Sequence, residues 1–418
     1  AEGKISAVDY KKLKMNKTNI ATNESRLWNC LRIPFFLMMY CMSSNKKNVE
    51  SQGEILKNFF HDKRELLSGK RPYGERSQAK HRYREKYYAL KTELSMEDAL
   101  KAMLDFMIPE IAIGMVERNN FFITQEEIQA IIQTYFDRLE TLTRKQKWTG
   151  WYYGYTMEIQ LIFREIRKID NGKKIPEYAC TVLGIMRATA NHTYFFTHQY
   201  FRDYFAACAL INRMLLITEE RAYTRGGWKA DSPEFSKYVY PLQVQEMSDY
   251  ICALTGEILG ERKNLPVYNY YRKRWQLLPE RSPEQEVLTE FLDCYRYVKD
   301  MNMEIRLGLE NIISILKKSR IRNDGSIDFS NIDFSGLDVG EFSLKEIIFS
   351  HMDREENTYG TDFRQTRGIL KAILKDEKEQ KVVCCGIHSE KRKILILNEY
   401  THFLTELNLE SGESRVLM

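Results

Sequence analysis

The chain has 418 residues, more than one ordinary domain, and this length favours about two to four domains. Hydrophobic residues make up 43% and aromatic residues 12% of the chain, enough to fill several cores. The net charge of +5, from 63 basic and 58 acidic side chains, gives by itself no reason to expect nucleic acid. No uncharged apolar run reaches the roughly 18 residues of a membrane-spanning helix. The chain starts at Ala1 without a methionine or a signal peptide, so we interpret it as a piece of a longer protein.

The eight cysteines contain no C-x-x-C spacing, and most of them lie within apolar helical patterns. This distribution indicates reduced core thiols in a cytoplasmic protein rather than a disulfide framework. No group of Cys and His residues has the spacing of a zinc site, so we expect no metal.

Residues 20–320 are predicted to be mostly helical. In "NESRLWNCLRIPFFLMMYCMSS", one face at helical spacing carries the apolar residues Leu27, Leu31, Phe35, Met38 and Met42. Pro34 interrupts this face, which predicts a short helix followed by a second helix that begins at or near the proline.

The next segment, "GEILKNFFHDKRELLSGK", predicts an amphipathic helix that ends near Gly69. Residues 63–91 are rich in Lys and Arg with interleaved tyrosines, a pattern that single-strand nucleic-acid surfaces also show. Because glutamates dilute the charge, we interpret this stretch as a solvated helix and loop.

Helical periodicity continues in "SMEDALKAMLDFMIPEIAIGMVERNN". Thr124, with Glu127 three residues later, forms a capping box for the following helix, "TQEEIQAIIQTYFDRLE". Residues 176–184 favour a short helix, residues 185–197 a pair of strands or turns, and a strong helix follows from about Gln199. Within residues 1–320 we expect any small sheet to be confined to 185–197.

After residue 326 the apolar period changes to five. The two sets of large apolar residues are Phe329, Phe334, Val339, Leu344 and Phe349, and Ile327, Ile332, Leu337, Phe342, Ile347 and Met352. Neither a helix nor a flat strand has this period, whereas a square coil of five-residue faces does. We therefore predict pentapeptide repeats with Phe329 and Phe334 pointing inward. Beyond them, "KVVCCGI", "KRKILILNE" and "FLTELNLESGE" predict antiparallel strands, a possible first blade of a β-propeller.

The segment "YFFTHQYFRDYFAACAL" resembles the winged-helix signature of NACHT-type STAND nucleotide switches, a string of the form F-x-H-x-x-F-x-[ED]-[YF]-[FL]-A-A. Upstream, "LRIPFFLMMYC" is similar to the P-[LF]-x-[LC]-x-x-x-C stretch that opens the first helical domain of the same family, with Pro34 and Cys41 in place. The order of the two motifs fits the family, and the resemblance covers most of residues 20–350.

The resemblance implies a mainly α fold: a helical domain, a winged-helix-like domain and a second helical domain, followed by a short pentapeptide-repeat β-coil and C-terminal antiparallel strands. We place these at residues 1–95, 96–214, 215–322, 323–355 and 356–418. The implied function is the regulatory and sensor-side part of a cytoplasmic signalling switch, bacterial and defence-related. It would work with an N-terminal ATPase core in cis, an unknown ligand at the C-terminal repeats, and homo-oligomerisation on activation.

The chain departs from the family in two respects: it contains no G-x-x-x-x-G-K-[ST] loop to hold phosphates, and no Walker-B acidic run follows an apolar strand. We therefore expect no enzymatic activity from this chain, and we expect a complete site for ADP or ATP in the intact protein, of which this chain carries a part. The resemblance implies that His198 contacts the β-phosphate of ADP and that Pro34 packs on the adenine. A core histidine bonded to backbone, and a simple helix start, remain the structural alternatives. Arg202 and Asp203 are interpreted as surface or interdomain ion-pair partners.

Two other functions remain open. A winged helix with the basic 63–91 stretch could bind nucleic acid, but the helix from Gln199 is too apolar to read a groove. The pairs Arg76 with His81 and Arg187 with His192 match the R-x4-H spacing of HEPN-type ribonucleases, although arginine is frequent enough here to produce such matches by chance.

Overall fold

A computed structural model divides the chain into two compact units, residues 1–223 with 246–279 and residues 224–245 with 280–418. The structure describes residues 23–43, 49, 51–68, 103–144, 183–191, 193–223, 229–231, 249–261, 288, 291–298, 301–321, 327–329, 332–339, 344, 347–348, 350–352, 358–360, 365–367, 382–388, 393–398, 403–408 and 414–416. The confidently placed part is mostly helical with a small three-stranded antiparallel sheet, which confirms the mainly helical class. The rest of the 63–91 basic stretch after residue 68, the pair Arg76 and His81, and His192 lie outside the described residues.

The first unit is mainly helical, and two of its helices are apolar and largely buried. Its described helices are α1 (Asn23–Leu31), α2 (Pro34–Met42), α3 (Gln52–Ser68), α4 (Ile108–Glu117), α5 (Gln125–Arg144), α6 (Gln199–Tyr223) and α7 (Asp249–Glu261). Helix α4 is buried almost throughout, and it packs against α6, whose residues Tyr204–Ile211 are also buried. At Gly114 of α4 the packing is close, because a Cβ there would lie 2.5 Å from Cδ1 of Ile131 on α5 and this side chain would have to shift.

The proline begins a new helix, as predicted. Pro34 occupies the first position of α2 after an extended Ile33, where its missing N–H removes no helical hydrogen bond. The predicted apolar face is wrong in this helix, because Phe36 and Met39 are buried while Met38 and Met42 are 50% and 63% exposed. Because Ile33 is extended, α1 and α2 are separate helices, and residues that are spaced as one helical face across both do not lie on one face.

The small sheet has the order β1 (Ile123–Thr124), β3 (Thr193–Phe196), β2 (Met186–Ala188), all antiparallel. The pair β2–β3 lies where strands or turns were predicted, but the expectation that the sheet stays within 185–197 is wrong, because Ile123 pairs with Tyr194. Strand β1 also contains Thr124, the residue that caps the N-terminus of α5. The Thr124 N–H donates to Glu127 Oε2 at 2.8 Å and the Glu127 N–H to Thr124 Oγ1 at 3.2 Å, which confirms the capping box.

The second unit joins a helix to a coil with the predicted period. Helix α8 (Met303–Ser319) is capped by Asn302, and β4 (Ile327–Asp328) pairs in parallel with β5 (Ile347–Ile348), four repeats later. Phe329, Phe334, Val339 and Leu344 are all buried, and the rings of Phe329 and Phe334 stack with centroids 5.7 Å apart. The inward direction of both phenylalanines is therefore confirmed.

The C-terminal residues form strands, as predicted. Strands β6 (Ser350–Met352) and β7 (Thr358–Gly360) pair with each other. A four-stranded antiparallel sheet follows, with neighbouring strands in chain order, β8 (Val382–His388), β9 (Lys393–Asn398), β10 (Phe403–Asn408) and β11 (Ser414–Val416). The sequence pattern had indicated only the first three of these four strands.

Candidate functional site

The two residues that the sequence singles out lie in the first unit, at the beginnings of two helices that are in contact. Pro34 is the exposed first residue of α2, and half-buried His198 immediately precedes α6. The next residue of α2, Phe35, stacks on the imidazole of His198 with ring centroids 3.9 Å apart and planes inclined by 24°. This contact brings the start of α2 against the start of α6.

His198 caps α6. Its carbonyl oxygen accepts hydrogen bonds from the N–H of Phe201 at 3.1 Å and of Arg202 at 3.5 Å, and its Nδ1 accepts one from the N–H of Tyr200 at 3.3 Å. Just before it, Thr197 ties the end of β3 to Ile185 through both its N–H and its hydroxyl. The histidine is thus held at the point where the sheet passes into the long helix.

The imidazole belongs to a group of three mutually contacting rings, which we call the ring triad: Phe35, His198 and Tyr200. The Tyr200 ring lies 4.9 Å from His198 at 17°, and 5.2 Å from Phe35. Below the triad, Phe201 contacts Phe35, and it also contacts Phe59 and Phe60 of α3. The triad therefore rests on an aromatic core that joins α2, α3 and α6.

Burial lowers the pKa of His198 below its ordinary value, because the charged form loses hydration there. The imidazole is therefore neutral at pH 7. Since the Tyr200 N–H donates to Nδ1, the proton of the neutral ring is on Nε2. In the described part of the chain Nε2–H has no hydrogen-bond partner, so it can donate to a ligand.

The surrounding backbone adds positive potential. Helix α6 is 25 residues long, and its N–H groups at the first turn carry the positive end of the helix dipole beside His198. The N-terminus of α2 lies in contact with it, and its N-cap Ile33 provides no side-chain acceptor. An N–H donor between two helix N-termini suits an anionic group such as phosphate.

Arg202 and Asp203 form an ion pair with each other, with Arg202 Nη2 2.9 Å from Asp203 Oδ1. The expectation of a surface pair is wrong for Asp203, which is 2% exposed. Burial raises its pKa, although Arg202 and a hydrogen bond from Gln199 favour the ionised form. The guanidinium of Arg202 also lies 4.7 Å from the centroid of the exposed Phe121 ring.

Sequence reasoning did not identify Phe35 or Tyr200 as parts of the site. Phe35 had been assigned to an apolar helix face, and no pattern in the sequence relates it to His198. Lys63 of α3 was also missed. Burial lowers its pKa to about 8, and its ammonium group lies 5.7 Å from the Phe59 ring centroid.

Neither a metal centre nor a membrane span is found among the residues with described positions. No three His, Cys, Asp or Glu side chains there are grouped to hold a metal ion. No helix in these ranges has both the length and the apolar character needed to cross a bilayer. Among the described cysteines, Cys208, Cys252 and Cys294 are buried.

Comparison with known proteins adds no identification. No family model matches the chain, and neither the curated proteins nor the solved structures contain a match.

Proposed function

We propose that this chain is the regulatory and sensor-side part of a NACHT-type STAND switch, and that His198 and Pro34 hold ADP in the closed state of the intact protein. The observation that carries the proposal is the contact between the starts of α2 and α6, which brings together two residues from separate family-like motifs. Nothing in the local sequence of either motif requires that contact.

Each residue has a defined chemical part. The neutral imidazole of His198 donates Nε2–H to a phosphate oxygen, and the N-terminus of α6 adds positive potential to the same group. Pro34 offers an exposed apolar ring to the base. The remaining phosphate contacts would come from an ATPase core in cis, because this chain has no phosphate-binding loop.

In the intact protein, we assign residues 1–95, 96–214 and 215–322 to a helical domain, a winged-helix-like domain and a second helical domain. The five-residue coil and the C-terminal sheet would bind the trigger, with the sheet as a possible first propeller blade. Trigger binding would shift the population to an open, homo-oligomeric state. We place this switch in the bacterial cytoplasm, in antiviral defence.

The cations of α6 favour this reading over a winged-helix protein that binds nucleic acid. Arg202 is paired with Asp203 and lies over Phe121, and Arg213 is paired with Glu110 and Glu117 of α4. The apolar residues Phe201, Tyr204 and Phe205 are buried in the core. Neither Arg202 nor Arg213, the two cations of α6 whose side chains are described, is therefore available for phosphates in a groove.

The test is His198→Leu in the full-length protein, measured without its trigger. A neutral hydrogen bond contributes about 0.5–1.5 kcal/mol, so its loss reduces the preference for the closed state by about 2- to 12-fold. We expect trigger-independent activity, together with a small loss of stability because leucine removes the acceptor of the Tyr200 N–H. His61→Leu is the matched control, because His61 is exposed on α3 and, among the described residues, pairs with Glu65.

A loss of stability without a gain in basal activity would indicate that His198 has a purely structural role. If His198 served only to cap α6, leucine would leave the Tyr200 N–H without its acceptor. The protein would then lose stability without gaining basal activity. A lowered melting temperature with unchanged basal activity would refute the nucleotide contact.

A further inference from the structure

We propose that Phe35 is a positioning residue, whose ring holds the His198 imidazole so that Nδ1 faces the Tyr200 N–H and Nε2–H remains available to an acceptor. The use of that donor for a nucleotide rests on the function proposed above. The orientation itself does not, and it can be measured in this chain without any ligand.

A histidine at the start of a helix has considerable rotational freedom. The terminal torsion of the imidazole is broad and roughly two-fold, so the ring can turn away from the Tyr200 N–H, and a half-turn would place Cδ2–H, which cannot accept, where Nδ1 now lies. The single hydrogen bond from Tyr200, at 3.3 Å, is long and weak as the only constraint. A second contact is needed to define the ring plane.

Phe35 provides that second contact. Its ring is the closest ring to His198, at 3.9 Å and 24°, whereas Tyr200 lies at 4.9 Å and Phe201 at 6.5 Å. Phe35 is itself held by Phe36 and by Phe201, at 5.3 Å each, so it forms a fixed surface rather than a mobile lid. The stack sets the plane of the imidazole, and within that plane the Tyr200 N–H favours the orientation that places Nδ1, and not Cδ2–H, opposite it.

The consequence is a single tautomer. An imidazole confined to this plane with Nδ1 as acceptor must carry its proton on Nε2. If the stack is lost, the ring can turn and the other tautomer becomes accessible. Phe35 would thus act on the ligand only through His198, without touching it.

The experiment uses the 418-residue chain with ¹⁵N-labelled histidine, in which the imidazole nitrogens report the tautomer ratio. The chain has seven histidines, and His198→Leu assigns the relevant signal. The variants are Phe35→Leu and Phe35→Met, which keep an apolar side chain, and Phe35→Tyr, which keeps the ring. The matched control is Phe59→Leu, because Phe59 is a half-buried phenylalanine that stacks on Phe201.

In the wild-type chain we expect His198 to be almost entirely the Nε2–H tautomer. In Phe35→Leu and Phe35→Met the ratio of Nε2–H to Nδ1–H should fall by about 2- to 12-fold, the range that corresponds to one aromatic pair. Phe35→Tyr and Phe59→Leu should leave the ratio unchanged.

Two outcomes would overturn the proposal. One is a tautomer ratio that stays at the wild-type value in both Phe35→Leu and Phe35→Met. The other is an equal change in Phe59→Leu, which would show a general loosening of the aromatic core. If the full-length protein does not bind ADP, the proposed function fails, while the tautomer measurement still decides the role of Phe35.

Discussion

Arg213 joins two helices of the first unit through paired charges. Its guanidinium lies 2.7 Å from Glu110 and 2.6 Å from Glu117, both on α4, while the Arg213 side chain is only 12% exposed. Burial disfavours its charge, but the two carboxylates outweigh burial and raise the pKa of Arg213 further. Glu110 is 5% exposed, so it depends on this arginine for its charge to be balanced.

We predict that Arg213→Met destabilises the chain by about 3–5 kcal/mol, because it leaves the buried Glu110 carboxylate without its counter-charge. Urea denaturation measures the change. Arg118→Met is the control, because the pair of Arg118 with Glu127 is 3.3 Å long and both side chains are substantially exposed, 43% and 36%. It should cost at most about 1 kcal/mol, and equal losses in the two variants would contradict the prediction.

At the scale of elements, Arg296 contacts the segment 327–352, which has the five-residue apolar period and which we call the coil. This side chain is 6% exposed, donates to the carbonyl oxygens of Asp333 and Ser335, and pairs with the carboxylates of Asp293 and Asp333. Burial opposes ionisation of Asp333, but hydrogen bonds from Arg296 and Ser335 outweigh it and lower the pKa of Asp333.

Gly336 lies at the same turn of the coil. Its φ of +71° is in the region that favours glycine. A Cβ at this position would also approach the Tyr297 ring at 2.5 Å. The coil therefore depends on contacts outside its own repeats, as expected for a stack of so few.

We predict that Asp333→Asn destabilises the coil by about 1–3 kcal/mol, since it removes one charged partner of a buried arginine while Asp293 remains. Hydrogen exchange of the 327–352 amides measures this. Asp338→Asn is the control, one repeat later. Its partner Arg367 has a side chain that is 56% exposed, and Arg367 Nη2 lies 3.5 Å from Asp338 Oδ2, so this pair should contribute less.

The sign of the pH dependence follows from the lowered pKa. The stabilising effect of the Asp333 carboxylate is complete above its unfolded pKa of about 3.9 and is lost as the pH falls below that value. The difference between wild type and Asp333→Asn should therefore shrink in acid. A difference that grows in acid would contradict the assignment.

At the scale of the whole molecule, the proposed nucleotide site is incomplete. The site between α2 and α6 offers one side-chain donor and two helix termini, and the sequence provides no loop that surrounds the β- and γ-phosphates. Such a site can contact a bound nucleotide but cannot position a γ-phosphate and a water for transfer.

We therefore predict that the 418-residue chain hydrolyses no ATP above background. Phosphate release in the presence of Mg²⁺ measures this, with the His198→Leu chain as a parallel sample. Turnover that disappears on substitution of a residue within the chain would show that a catalytic site exists in it.

Several features of this protein were determined by the sequence alone, because each depends on residues close together in the chain. Pro34 can begin a helix but not continue one, so α2 begins there. Thr124 and Glu127 satisfy each other's backbone N–H groups within one turn. The period of five required Phe329 and Phe334 to point inward.

The features that sequence reasoning missed are those that depend on distant partners. The third strand of the small sheet, Ile123–Thr124, is too short to show a pattern and exists through its pairing with β3. The buried face of α2 depends on how the chain turns before Pro34, and Asp203 is buried because α6 lies within the core. The candidate site combines both kinds of information. The residue types at Pro34 and His198 could be recognised along the chain, but their contact through Phe35 was decided by the packing of α2 against α6, since no local interaction relates two helix starts so far apart in sequence.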